Sequence, residues 1–112
     1  MPKRVLVVDD DPQVLDLLGR WLSAAGYEVQ SAATFAEGKQ RIEGPLDALV
    51  VDVRLLDFNG LQLAGRARAS HPNLRIVVMS GWDDPVLERE ASNLGAVFLK
   101  KPLSESELLQ AL

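Results

Sequence analysis

The chain has 112 residues, of which 47% are hydrophobic and 25% charged, an ordinary balance for one globular domain. It has no cysteine, which excludes a disulfide framework and thiolate metal sites, and its net charge of −4 argues against nucleic-acid binding by this segment. No apolar run approaches the ~20 residues of a membrane span, and the run after Met1–Arg4 is too short for a secretory signal.

In chain order, the first apolar run is Val5–Val8, which meets Asp9, Asp10, Asp11 and Pro12. It reads as a strand buried on both faces. Val14, Leu17, Leu18, Trp21, Leu22 and Ala25 then recur at helical spacing. Asp11 is expected to cap that helix, Pro12 suits its first turn, and Gly26 stops it. The spacing places Trp21 in the core. Tyr27–Ala32 alternates polar and apolar residues, as an edge strand does. Thr34 and Glu37 predict a capping box for a helix reaching about Glu43, broken by Gly44-Pro45. Ala48–Val51 is a second buried run and ends at Asp52. Asp57 and Asn59 fit turn and cap chemistry before a helix that starts at Asn59 or Gly60. His71-Pro72 closes it, with His71 expected in an exposed loop. Ile76–Met79 is a third buried run, followed by Ser80-Gly81. Asp84-Pro85 opens a helix with Leu87, Ala91 and Leu94 on one stripe, and Gly95 ends it. Ala96–Leu99 is a fourth buried run and leads into Lys100, Lys101 and Pro102. Ser104 and Glu107 cap a last helix. The pattern stops within Ser104–Leu112 without a C-cap, so a truncated helix and a longer natural protein are expected.

Five β-α units in succession predict a doubly wound α/β domain over 1–112, with a parallel sheet and right-handed crossovers. Ligands of such sheets bind beyond the carboxyl ends of the strands. The residues there are Asp9, Asp10, Asp11, Asp52, Ser80 and Lys101, gathered on one rim from distant parts of the chain. Like charges ~4 Å apart repel by ~4 kcal/mol at an effective dielectric of ~20, so such a cluster requires protons or a cation. All-oxygen donors suit a hard ion such as Mg²⁺. A carboxylate beside that ion can attack phosphorus, with a lysine and a hydroxyl holding the phosphoryl oxygens. The rim therefore has the parts for phosphoryl transfer to a carboxylate.

On Val5–Asp11 (VLVVDDD), Leu49–Gly60 (LVVDVRLLDFNG), Val77–Gly81 (VVMSG) and Phe98–Pro102 (FLKKP), the chain resembles the receiver domain of two-component response regulators. The resemblance spans essentially the whole chain. It implies a flavodoxin-like fold with a five-stranded parallel sheet in the order 2-1-3-4-5. It implies Asp52 as phosphoacceptor, with Asp9, Asp10, Asp52 and the Arg54 backbone carbonyl around Mg²⁺ (or Mn²⁺ in its place), and Asp10 as the direct ligand of the acidic pair. Ser80 and Lys101 would contact the phosphoryl group, and Ser80 and Phe98 would form the switch. The Lys101-Pro102 bond is expected to be cis. The implied donor is a histidine kinase or phosphotransfer protein in the cytoplasm. The implied output is an attached domain or partner on the face of the fourth helix, fifth strand and fifth helix, or a homodimer formed on phosphorylation. Such a domain phosphorylates and dephosphorylates itself but is not a turnover enzyme.

Leu56 departs from the proline common in the family, which predicts a less rigid loop. Arg54 and Trp82 stand where large side chains would shield an acyl phosphate from water. Asp11 is read as a helix cap, Lys100 as a surface residue, and Phe98 as either switch or core filling. Three other functions compete. A haloacid-dehalogenase-type phosphatase would use Asp9, Asp11, Ser80, Asp83 and Asp84, but leaves Asp52 unexplained. A flavodoxin-like mononucleotide binder would need amide donors where this chain has Asp9–Pro12. The third is a receiver-like interaction module that takes no phosphate.

Overall fold

A computed structural model describes residues 2–57 and 59–112. The elements alternate as expected: β1 (Arg4–Val8), α1 (Pro12–Ala24), β2 (Glu28–Ala32), α2 (Phe35–Arg41), β3 (Ala48–Asp52), α3 (Gly60–Ser70), β4 (Arg75–Ser80), α4 (Pro85–Asn93), β5 (Val97–Lys100) and α5 (Glu105–Ala111). The pairings between these five strands are parallel, in the order β2-β1-β3-β4-β5.

Period two divides the strands between two cores. Val5 and Val7 of β1, Val50, Val77 and Met79 face Leu18 and Leu22 of α1 and Leu108 of α5. Leu6, Val8, Leu49, Val51, Ile76 and Val78 face Leu61, Leu63, Ala64 and Ala67 of α3 and Ala91 of α4. Each fully buried leucine or valine contributes roughly 1.5–3 kcal/mol. The three central strands therefore need apolar residues on both sides, which explains their unbroken runs.

β5 does not share that burial. Among the described residues it pairs only with β4, and Val97 is 42% exposed, so it is an edge strand and not one buried on both faces. Phe98 and Leu99 are half-buried. Trp21 is also half-buried; it packs against the α1–α5 core from its margin.

Local signals set most helix ends. Asp11 Oδ1 accepts from the Gln13 amide at 2.9 Å, and Asp84 Oδ1 from the Val86 amide at 3.0 Å. Ser104 and Glu107 make a full capping box. The box expected at Thr34 is only half formed. Thr34 Oγ1 accepts from the Glu37 amide at 3.1 Å, but the Glu37 carboxylate turns to the Ala33 amide, at 3.4 Å. α2 ends at Arg41, earlier than its pattern suggests, with Ile42 as C-cap. His71 is not simply exposed. It is half-buried, and its Nε2–H donates to the Ile42 carbonyl at 2.7 Å, tying the end of α3 to the end of α2. Arg68 donates to the carbonyls of Leu94 (2.9 Å), Pro72 (3.0 Å) and Leu74 (2.7 Å), joining the same end of α3 to α4 and to the start of β4.

Candidate functional site

The register of the sheet builds the site. β1 pairs Val8 with Val51 of β3, so the residues that follow, Asp9 and Asp52, leave the sheet side by side. This is the point where the strand order reverses, and it opens a crevice. β4 pairs Asp52 with Met79, placing Ser80 one step further along the rim, and Ser80 pairs with Lys100 of β5. Lys101 follows, with its amide bonded to the Ser80 carbonyl at 2.7 Å and a cis bond to Pro102.

Lys101 Nζ lies 2.7 Å from Asp9 Oδ2 and 3.1 Å from Asp52 Oδ2. Asp9 is fully buried and Asp52 is 6% exposed. Asp9 Oδ1 accepts from the Asp11 amide at 2.9 Å, so both Asp9 oxygens are engaged. Asp10, half-exposed, completes a cluster in which one oxygen each of Asp9, Asp10 and Asp52 lies within 4.8 Å of the others. At that spacing each charged pair repels by roughly 3–4 kcal/mol at an effective dielectric of ~20. One ammonium offsets only part of this. The donor set contains only carboxylate oxygens, which fits a hard divalent cation and not a soft one. Burial pushes the Asp52 carboxyl above the usual carboxylate range, against the Lys101 charge, which lowers it; nearby Asp9 adds to the rise. For Lys101, burial disfavours the ammonium, but the hydrogen bond to Asp9 and the charges of Asp52 and Asp9 outweigh it and raise its pKa.

Two loops flank the cluster. In the β3–α3 loop the Arg54 amide donates to Asp52 Oδ1 at 3.2 Å. In the β4–α4 loop Ser80, 1% exposed, accepts on Oγ from the Trp82 amide at 3.1 Å. The side chains of the two loops meet: the Arg54 guanidinium sits 3.9 Å from the centre of the Trp82 ring. Gly60 reinforces the floor. Its amide donates to the Val53 carbonyl at 2.8 Å, and a Cβ there would lie 1.9 Å from the Asp52 carbonyl oxygen.

The structure thus brings together Asp9, Asp10, Asp52, Ser80, Lys101 and Arg54. Phe98 lies apart on β5, half-buried against the α2–α4 side. Lys100 is exposed and pairs with Asp83 at 2.8 Å. With Asp83 so engaged, Asp84 capping α4 and Asp11 capping α1, three of the acidic residues that the phosphatase reading requires do not join the cluster; only its Asp9 does. Asp57 corrects another expectation. It caps not α3 but α2, accepting from the Phe35 amide at 2.9 Å and the Ala36 amide at 3.3 Å, while Asn59 caps α3. Gly60 and Asp57 were invisible as site residues in the sequence. A glycine at the first turn of a helix is a weak hint of close approach; nothing local marks a cap for a helix twenty residues upstream.

The response regulator receiver domain model matches residues 5–112. The acid tolerance regulatory protein ActR of Rhizobium meliloti (strain 1021) is 35% identical over 98% of this chain, which spans 58% of ActR. Among solved structures, a CheY-like response regulator receiver domain protein from Methanospirillum hungatei JF-1 superimposes with a TM-score of 0.92 at 32% identity, covering 98% of this chain and 90% of the other. A Burkholderia pseudomallei response regulator, solved with a phosphorylated aspartic acid, calcium ion and citrate, does so with a TM-score of 0.91 at 29% identity, over 98% of this chain and 66% of the other. The chain belongs to the response regulator receiver domain family of two-component signalling.

Proposed function

We propose that this chain is a phosphorylation switch in which Asp52 accepts a phosphoryl group from a histidine kinase or phosphotransfer protein. The observation that carries the reading is Lys101 Nζ bridging Asp9 and Asp52 beside a third carboxylate, at the switch point of the sheet. Asp10 and Asp52, with Asp9 orienting from beneath and the Arg54 carbonyl alongside, would hold Mg²⁺ or Mn²⁺. When bound, the ion supplies positive charge that offsets the phosphoryl oxygens. An oxygen of the ionised Asp52 carboxylate attacks phosphorus, the phosphorus–nitrogen bond to the donor imidazole breaks, and an acyl phosphate forms. Lys101 then donates to a phosphoryl oxygen. Ser80, whose Oγ accepts from the Trp82 amide, turns to donate its O–H to another.

Movement of Ser80 frees space toward which Phe98 turns, biasing the α4–β5–α5 face between two states a few kcal/mol apart. That face would engage an attached output domain, a downstream protein or a second copy. The domain takes one phosphoryl group and later loses it to water, so it is not a turnover enzyme. A cytoplasmic location fits this role; among the described residues no helix is long and apolar enough to cross a membrane.

Incubation with acetyl phosphate and Mg²⁺, followed by intact mass measurement, tests the reading. A gain of one phosphoryl group is expected, absent from Asp52→Asn and in EDTA. A wild-type protein that gains nothing would overturn it. The Arg54–Trp82 stack is expected to shield the acyl phosphate. A contact worth ~0.5–1 kcal/mol corresponds to about two- to fivefold faster dephosphorylation in Arg54→Ala or Trp82→Ala. The double variant should be no faster than either single one, because the two side chains act as a unit. Unchanged decay of the phosphorylated protein in both variants refutes the shield.

A further inference from the structure

The β3–α3 loop carries two groups that the proposed site depends on, the Arg54 amide on Asp52 and the Arg54 carbonyl that would help to hold the ion. Its path is fixed at intervals. An antiparallel bridge joins Arg54 to Asn59, and Leu55, 8% exposed, inserts into the α2–α4 side of the core. Leu56 gives no hold, being 91% exposed. Asp57 does, through its bonds to the Phe35 and Ala36 amides. Those two bonds, the one to Phe35 first, keep its carboxyl below the usual range. α2 already has its own cap in Thr34, so the helix does not need Asp57 as its only N-terminal acceptor.

We infer that Asp57 is a positioning residue for the phosphoryl-transfer site: its carboxylate clamps the β3–α3 loop to the start of α2 and so fixes the Arg54 backbone beside Asp52. The inference rests on the reading of Asp9, Asp10, Asp52 and Arg54 as the cation site. An exposed carboxylate contributes little to overall stability, so its effect falls on the loop. The clamp also gives a motion of this loop a direct route to α2.

Two measurements decide it, each made on wild type, Asp57→Ala, Asp57→Asn and Thr34→Ala. The first is amide hydrogen exchange of Arg54 and Gly60 in metal-free protein, expected about fivefold faster in Asp57→Ala. The second is Mg²⁺ affinity by calorimetric titration, expected about tenfold weaker in Asp57→Ala, the usual scale for losing a group that orients a ligand. Asp57→Asn keeps one acceptor oxygen and should recover most of both. Thr34→Ala weakens α2 without touching the loop and should change neither. Equal effects in Thr34→Ala and Asp57→Ala would reduce Asp57 to a helix cap and overturn the inference. So would wild-type exchange in Asp57→Ala, or faster exchange with Mg²⁺ affinity unchanged. Failure of wild type itself to bind Mg²⁺ marks failure of the site reading, and the exchange rates then stand alone in supporting or rejecting the clamp.

Discussion

Gly60→Ala is expected to lower stability by about 3 kcal/mol, the upper end of overpacking costs, and to slow phosphorylation from acetyl phosphate about a hundredfold. The added Cβ would lie 1.9 Å from the Asp52 carbonyl oxygen, 2.8 Å from its carbonyl carbon and 3.0 Å from Val51 Cγ2. Two of these atoms are backbone, in the strand where β1 and β4 pair on either side, so they cannot yield as the tip of a side chain does. Either α3 retreats, stretching the 2.8 Å bond from the Gly60 amide to the Val53 carbonyl, or the end of β3 moves. Both shift Asp52 relative to Lys101. Gly65→Ala is the matched control. It lies in the same helix with nothing within 4 Å of its added Cβ, and should stabilise by some tenths to about 1 kcal/mol through helix propensity. Urea unfolding and the phosphorylation rate measured on both variants test the claim. A Gly60→Ala protein as stable and as reactive as Gly65→Ala would refute it.

The contrast between Gly60 and Asp52 shows what sequence can carry. Asp52 and Ser80 end strands and Asp9 and Lys101 directly follow them, and strands announce themselves through local apolar runs. Once the β-α alternation is read, the parallel sheet brings their ends together without further information. Asp11, Asp84 and Ser104 are legible for a similar reason, since a cap and its amides lie within three residues. What escaped depends on contacts between segments distant in the chain. Asp57 reads as a cap for the next helix because its partners, Phe35 and Ala36, belong to an earlier one. His71 looks like a loop residue until the Ile42 carbonyl is placed beside it. Ala96–Leu99 has the composition of a buried strand, yet burial is decided by whether another strand lies beyond it, and among the described residues none does. The Arg54–Trp82 stack lies between these cases. The two positions were noticed as flanking residues, but their mutual contact needed the loops in place.

Lys101→Met is expected to lower the stability of the metal-free protein by about 3 kcal/mol near neutral pH, because removing one partner leaves buried charge uncompensated. The ammonium sits 2.7 Å from Asp9, whose side chain has no solvent exposure, and 3.1 Å from Asp52, whose side chain is 8% exposed. Methionine fills similar space without charge, so packing changes little. The pH dependence distinguishes this cause from a packing defect. Burial already raises Asp52 above its ordinary 3.8, and Lys101 is what pulls it back. In the variant that opposition is gone and the Asp52 pKa rises further. A carboxyl with a raised folded pKa binds its proton more tightly folded than unfolded. Stability is therefore full below 3.8 and falls as pH rises through the folded value. The deficit of Lys101→Met should be small at about pH 4 and widen toward about pH 8. The raised pKa of Lys101 is the same pairing seen from the cation, and its loss lies above the ordinary 10.5, outside that pH range. Saturating Mg²⁺ should recover more stability in the variant than in wild type, since the ion replaces the missing positive charge. Lys101→Arg should restore much of the stability but not the phosphorylation rate, because a planar guanidinium cannot place one donor between two carboxylates as an ammonium does. Urea unfolding of the three proteins across that pH range, with and without Mg²⁺, checks the argument. A deficit independent of pH would assign the loss to packing and remove Lys101 from its electrostatic role.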